Sequence, residues 1–218
     1  MTAKNWFKIG QDGLQEKLSM DTANQIRASK NAPRFWLRVG EEAVIVFVDD
    51  TGFYAKTHQL NVAGSWNNFI TCTADFQPCP VCNSGDRPTL IGYYTVIDTR
   101  ELQLKDGTRV KNRRVLFPAK NVAINMIADL KKKYNSLVGL AVKVKRYGQK
   151  SPNCGDYFEV ISDKRIALKS LGSDADVVYN YEKILAPPTP EELDTLGFGN
   201  RALGEVTADV DDTDDIPF

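Results

Sequence analysis

Residues 57–82 read THQLNVAGSWNNFITCTADFQPCPVC and contain the chain's one histidine, His58, with three of its four cysteines. Thirteen residues separate His58 from Cys72, six separate Cys72 from Cys79, and two separate Cys79 from Cys82. The Cys79-Pro80-Val81-Cys82 knuckle offers two thiolates from one turn, and Cys72 and His58 complete a tetrahedral donor set. Four protein donors leave no position for a catalytic water, so the pattern predicts one structural Zn2+ ion. Two plainer readings compete: thiols left unligated in a reducing compartment, or a Cys-x-x-Cys redox pair. The composition of 61–89 favours the metal, because it is rich in Asn, Ser, Gly, Thr and Pro and has few large apolar side chains to bury. Such a segment needs a staple. Cys154 lies far along the chain in a Pro-Asn-Cys-Gly turn and is expected not to be a ligand, though it is the substitute should His58 not serve.

Working outward, RFWLRV (34–39), EEAVIVFVDD (41–50) and GFYAKTHQL (52–60) read as strands, with a turn at Asp50-Thr51-Gly52. LIGYYTVIDTR (90–100) is strongly β-forming, and RVKNRRVLFPAK (109–120) pairs back across the Asp-Gly turn at 105–108. Val122, Met126, Ile127, Leu130 and Tyr134 then recur at helical spacing, which predicts a helix over 121–135 with Asn121 at its cap. Strands over 139–148 and 156–166 complete the pattern. Principal strands with a helix between the third and fourth give the order of an OB-fold, a mainly β five-stranded barrel, against some other small mixed sheet as the rival. The expected organisation is a loosely attached arm (1–33), a barrel domain (34–186) carrying a zinc-binding insertion at 58–89, and an acidic, flexible tail (187–218).

The formal net charge of zero hides a division. Residues 187–218 hold nine acidic side chains and one basic, whereas 1–186 hold 27 basic and 19 acidic. The body attracts polyanions and the tail imitates one. Single strands are held by cationic grooves that follow phosphates, with rings on which bases stack. Alternation in 139–148 sets Lys143, Lys145 and Tyr147 on one side. Candidate phosphate contacts are Lys56, Arg100, Lys111, Arg113, Arg114, Lys143, Lys145 and Arg146. Candidate stacking rings are Phe53, Tyr54, Trp66, Tyr93, Tyr94 and Tyr147, and one of the adjacent Tyr93 and Tyr94 is expected to be exposed. The plainer reading for each ring is packing, and for each cation a solvated surface.

The tail ends Asp211-Asp212-Thr213-Asp214-Asp215-Ile216-Pro217-Phe218, an acidic lead with an apolar plug at the terminus. That composition suits a peptide ligand, in which charge draws the segment to a basic partner and Phe218 enters a pocket.

Two resemblances bear on these residues. The last five residues look like the tip of bacterial single-stranded-DNA-binding proteins, which implies docking onto replication, recombination and repair enzymes. His58, Cys72, Cys79 and Cys82 resemble, in ligand type and order, the zinc site of the helix-destabilising single-stranded-DNA-binding protein of T4-type phages, which implies an OB-fold and a phage protein. The expectation is sequence-independent coating of single-stranded DNA without enzymatic activity. The alternative is a zinc-containing transcription or recombination regulator that binds duplex DNA or a protein partner. No apolar run reaches membrane-spanning length and no signal peptide is evident, so a cytoplasmic protein is expected.

Overall fold

The computed structural model describes Gly10, Gln11, Leu14, Lys17, residues 32–62, 65–103 and 107–195, and Phe198. Most of the expected N-terminal arm and the acidic tip Asp211, Asp212, Asp214, Asp215, Ile216, Pro217 and Phe218 lie outside the described residues. The strands are β1 (Glu42–Phe47), β2 (Phe53–Val62), β3 (Ser65–Thr71), β4 (Thr89–Asp98), β5 (Leu102–Gln103), β6 (Arg109–Val110), β7 (Arg113–Lys120), β8 (Ala141–Lys145) and β9 (Tyr157–Ser162). The helices are α1 (Pro80–Asn83), α2 (Val122–Tyr134), α3 (Tyr181–Ile184) and α4 (Pro190–Thr195).

β4 organises the sheet. One of its edges pairs with β2 at Thr89–Tyr93 and then with β1 at Val96–Asp98, while the other pairs with β7 from Ile91↔Lys120 to Asp98↔Arg113. The resulting seven-stranded antiparallel sheet runs β3-β2-β4-β1-β8-β9, with β7 added on β4. β5 and β6 form a separate small ribbon.

The sheet does not close, which corrects the expected OB-fold barrel. In the expected barrel order the last strand, β9, would close onto the outer edge of β7, and residues 33–35 hold that edge at Leu116. Phe35 N–H donates to Leu116 O at 2.9 Å and Leu116 N–H to Pro33 O at 2.8 Å, around a parallel bridge at Arg34. Of the strand expected over 34–39, this short pairing is what forms. Among the described residues β3 and β9 end the sheet. β3 itself lies in the stretch read from sequence as loop, because Asn67 and Asn68 interrupt its apolar alternation.

Period-two alternation gives the sheet two apolar faces. Ile45, Phe47, Tyr94, Val96, Phe117, Val142 and Val144 pack under α2, whose Ala123 and Ile127 are buried at helical spacing. The helix falls where periodicity placed it, but the Asn121 side chain makes no capping hydrogen bond, and left-handed Asn135 (φ 62°) ends it. On the other face Val46, Val48 and Ile97 meet Leu171 and Ala175, and Ile91, Tyr93 and Leu116 meet Tyr179, Tyr181 and Leu185. Residues 166–185 therefore roof a surface that sequence reading had left open, and residues 91–98 of β4 are buried throughout. No helix among the described residues is long and apolar enough to cross a membrane.

Candidate metal centre and nucleic-acid surface

β2, β3 and α1 bring the four donors together. His58 on β2 lies opposite Ile70 of β3, and the ladder continues one step past β3 as Cys72 N–H donates to Lys56 O at 2.8 Å. Cys79 precedes Pro80, a residue suited to the first turn of α1, and Cys82 follows on the same turn. The four ligand atoms lie within 4.8 Å of one another. His58 Nε2 is 3.5 Å from Cys79 Sγ and 3.6 Å from Cys82 Sγ, and the sulfurs of Cys72 and Cys82 are 3.5 Å apart. With Zn–S about 2.3 Å and Zn–N about 2.05 Å, a tetrahedron has edges of about 3.6 Å between N and S and about 3.8 Å between sulfurs. The cluster fits a single structural zinc site.

The electrostatics point the same way. Burial works against ionisation of Cys79, but the Cys82 and Thr73 N–H groups, the Thr73 hydroxyl and His58 outweigh it and hold the thiol down at about 6. Burial and the sulfurs of Cys72 and Cys79 push Cys82 up to about 12. One thiolate forms readily, and a second in the same space requires a cation to neutralise it. His58 is fully buried, and its Nδ1 meets Asp86 Oδ2 at 2.5 Å, which leaves Nε2 directed at the thiols. Asp86 was not anticipated. Its only signal was its place in the polar turn four residues after Cys82.

Leu60, Ile70, Val81 and Leu193 pack with Cys72 and Cys79 as a small core of their own. The first part of the tail is thereby anchored: Thr189 and Glu192 form a reciprocal capping box at 2.8 and 3.2 Å, and α4 lays Leu193 against the metal cluster. Cys154 is buried in the main core under α2, apart from the cluster, as expected of the non-ligand.

The candidate nucleic-acid residues do not share one surface. Neither Tyr93 nor Tyr94 is exposed: Tyr93 hydrogen-bonds Thr57 at 2.9 Å beneath the 179–185 roof, and Tyr94 packs edge-on to Phe47 under α2. Phe53 stacks on Tyr181 with centroids 5.7 Å apart. Tyr54 is 47% exposed, and its hydroxyl lies 3.0 Å from that of Tyr94. Trp66 lies in β3, with its side chain outside the described residues.

Among the cations, Arg100 is held by Asp98 and Glu41 at 2.7 and 2.8 Å, and Arg113 lies 3.7 Å from buried Asp98. Arg114 donates to the carbonyls of Asp174 and Val177, and nearly buried Arg146 to those of Leu37, Gln149 and Ser151. Lys56 is paired with exposed Asp75, and Lys111 is exposed.

One grouping survives on the β8–β9 side. Tyr147 is 57% exposed, Lys145 Nζ lies 5.0 Å over its ring, and Tyr157 meets it edge-on at 5.8 Å. Lys143, two residues away on β8, is bridged to exposed Glu159. Exposed Trp36, with Arg38 5.7 Å over its ring, stands on the neighbouring segment. Backbone bonds from Gly40 N–H to Arg146 O and from Arg146 N–H to Glu41 O tie the two segments together. Sequence reading missed Trp36 and Arg38 by taking 34–39 simply as a strand, and Tyr157 by taking 156–166 simply as the strand that completes the sheet.

The open sheet also overturns the resemblance to the T4-type phage protein, which required a closed OB barrel; what remains of it is the donor set. No family model, curated protein or solved structure matches the chain.

Proposed function

We propose that the protein binds single-stranded DNA without strong sequence preference, coating and protecting it during replication, recombination or repair, and that it does so without catalysis. The observation that carries this reading is the exposed Tyr147 ring, flanked by Lys145 and Tyr157, with the exposed Trp36–Arg38 pair on the neighbouring segment. Rings accept bases of any sequence, and the adjacent cations meet the phosphates between them. The chain's single histidine sits among the metal donors, which argues against histidine-based acid–base chemistry. Clustered thiols suit a reducing compartment, so the cytoplasm is the place proposed for it. The acidic tail ending Ile216-Pro217-Phe218 has the chemistry of a recruiting peptide for basic partner proteins.

The test is a titration of fluorescent (dT) strands against a matched duplex at two salt concentrations. Tight, salt-sensitive binding of the single strand with weak binding of the duplex is expected. Equal or stronger binding of duplex, or marked sequence preference, would replace this reading with that of a duplex-binding regulator.

A further inference from the structure

Arg34 and β3 stand at opposite margins of the sheet, with β7, β4 and β2 between them. Even so, the Arg34 guanidinium lies 4.0 Å over the ring of Phe69 on β3 and 5.5 Å from the ring of Tyr93 on β4. The sheet therefore curls enough for side chains to meet across it although its backbone does not close. Toward the same ring β7 sends Lys120, whose Nζ is 5.8 Å from the Phe69 ring and donates to Gln59 Oε1 at 2.9 Å.

Two cations thus converge on one aromatic ring, each half-buried. Among the described residues no carboxylate lies within ion-pair distance of either. Burial lowers the Lys120 pKa, Cys154 opposes that, and the charge of Arg34 lowers it further. Arg34 Nη1 is buried and has no hydrogen-bond partner among the described residues. Ring faces attract cations, but they accept only weak hydrogen bonds from an N–H and do not cancel the repulsion between two like charges. Every other cation named above has carboxylate or carbonyl partners, a ring, or open solvent. The partner these two cations lack among the described residues is an oxyanion.

We propose that Arg34 and Lys120 form a seat for one phosphate group, with the guanidinium on one side of the anion and the ammonium on the other. A phosphate presents oxygens in several directions and so meets donors converging from two strands. Taking its source to be a backbone phosphodiester rests on the single-strand reading above; a free phosphate has the same chemistry.

The test uses the full chain with its metal, at constant ionic strength. Inorganic phosphate is titrated with chloride as the control and followed by phosphorus NMR line width. In parallel, the salt dependence of (dT) binding is measured for the natural chain, Lys120→Gln and Lys120→Arg. Phosphate should broaden with the natural chain, lose at least tenfold in affinity in Lys120→Gln, and recover in Lys120→Arg. Loss of one phosphodiester contact should reduce the salt slope for the single strand by about 0.7. Phosphate binding that Lys120→Gln abolishes, with an unchanged slope, upholds the seat and assigns it to free phosphate. No broadening with the natural chain, or equal broadening in Lys120→Gln, overturns the seat. The natural chain's affinity for (dT), read in the same series, reports separately on the single-strand reading.

Discussion

His58 Nδ1 and Asp86 Oδ2 lie 2.5 Å apart, so the imidazole that faces three thiols is gripped from behind by a carboxylate. That bond fixes the ring orientation and directs Nε2 to the metal. Asp86→Ala should lower zinc affinity by about 10–100-fold while leaving the main core under α2 intact. Competition with a chromophoric chelator reads the affinity, and far-ultraviolet circular dichroism checks the fold.

Removing the metal should act locally first. The cluster packs with Leu60, Ile70, Val81 and Leu193, separately from the core under α2. Chelation should therefore release hydrogen-exchange protection in β3, in 72–86 and in α4 before it does so in β1 or β4. The concurrent loosening of α4 is the sharper expectation, since Leu193 packs it against a cluster more than a hundred residues earlier. Protection in α4 that survives chelation would remove the link between metal and tail.

Neighbouring Asp49 and Asp50 are displaced in opposite directions from the ordinary carboxylate value. Burial opposes ionisation of Asp50, but hydrogen bonds from Leu137 N–H and Ser136 Oγ outweigh it and hold the group below its ordinary 3.8. Its contribution to stability is present above that value and is lost as pH falls through the lower folded value. Burial raises Asp49 above 3.8 despite hydrogen bonds from Tyr181 and Thr95, so its ionisation costs stability as pH rises from 3.8 through the folded value. Urea midpoints followed from strongly acid to neutral pH should show a shallower acid loss in Asp50→Asn, and a flatter decline above pH 4 in Asp49→Asn. An Asp50→Asn curve parallel to that of the natural chain would exclude this pairing as a source of the acid dependence.

Gly52 is required by a close approach rather than by its backbone angles. A Cβ there would lie 2.5 Å from Tyr94 Cζ and 2.6 Å from its hydroxyl, and that ring is confined under α2. Gly52→Ala should cost about 1–3 kcal/mol as an overpacking change. Tyr94→Leu removes the atoms in the way, so the double variant should be more stable than the two single losses predict. Denaturant midpoints of the four chains supply the cycle, and strict additivity would refute the contact.

The metal site was legible because its donors declare themselves by type and spacing along a short stretch. The fold was legible only in parts. Strands such as β4 and the helix α2 carry strong local patterns, but closure depends on which chain occupies the outer edge of β7, and Pro33–Phe35 give no sign in sequence that they take it. The burial of Tyr93 was beyond reach for the same reason: its cover comes from Tyr179, Tyr181 and Leu185, more than eighty residues later. Arg100 and Arg146 show the limit for charge. Sequence reveals that a guanidinium is present, but not that Asp98 or three backbone carbonyls have already claimed it.

Base stacking and internal packing separate cleanly in variants of two rings. Tyr147 is 57% exposed and touches Lys145 and Tyr157, so Tyr147→Ala should leave the denaturant midpoint nearly unchanged and weaken (dT) binding by about 1–3 kcal/mol. Because the lost group is uncharged, the salt slope should hold; Lys145→Gln should instead lower it by about 0.7. Phe53→Ala should do the reverse of Tyr147→Ala, reducing stability because its ring stacks on Tyr181 and changing affinity little. Fluorescence anisotropy with (dT) beside urea unfolding reads both properties on the same preparations. If Tyr147→Ala binds as the natural chain does, the β8–β9 surface is not where the strand lies, whatever the protein's total affinity for it.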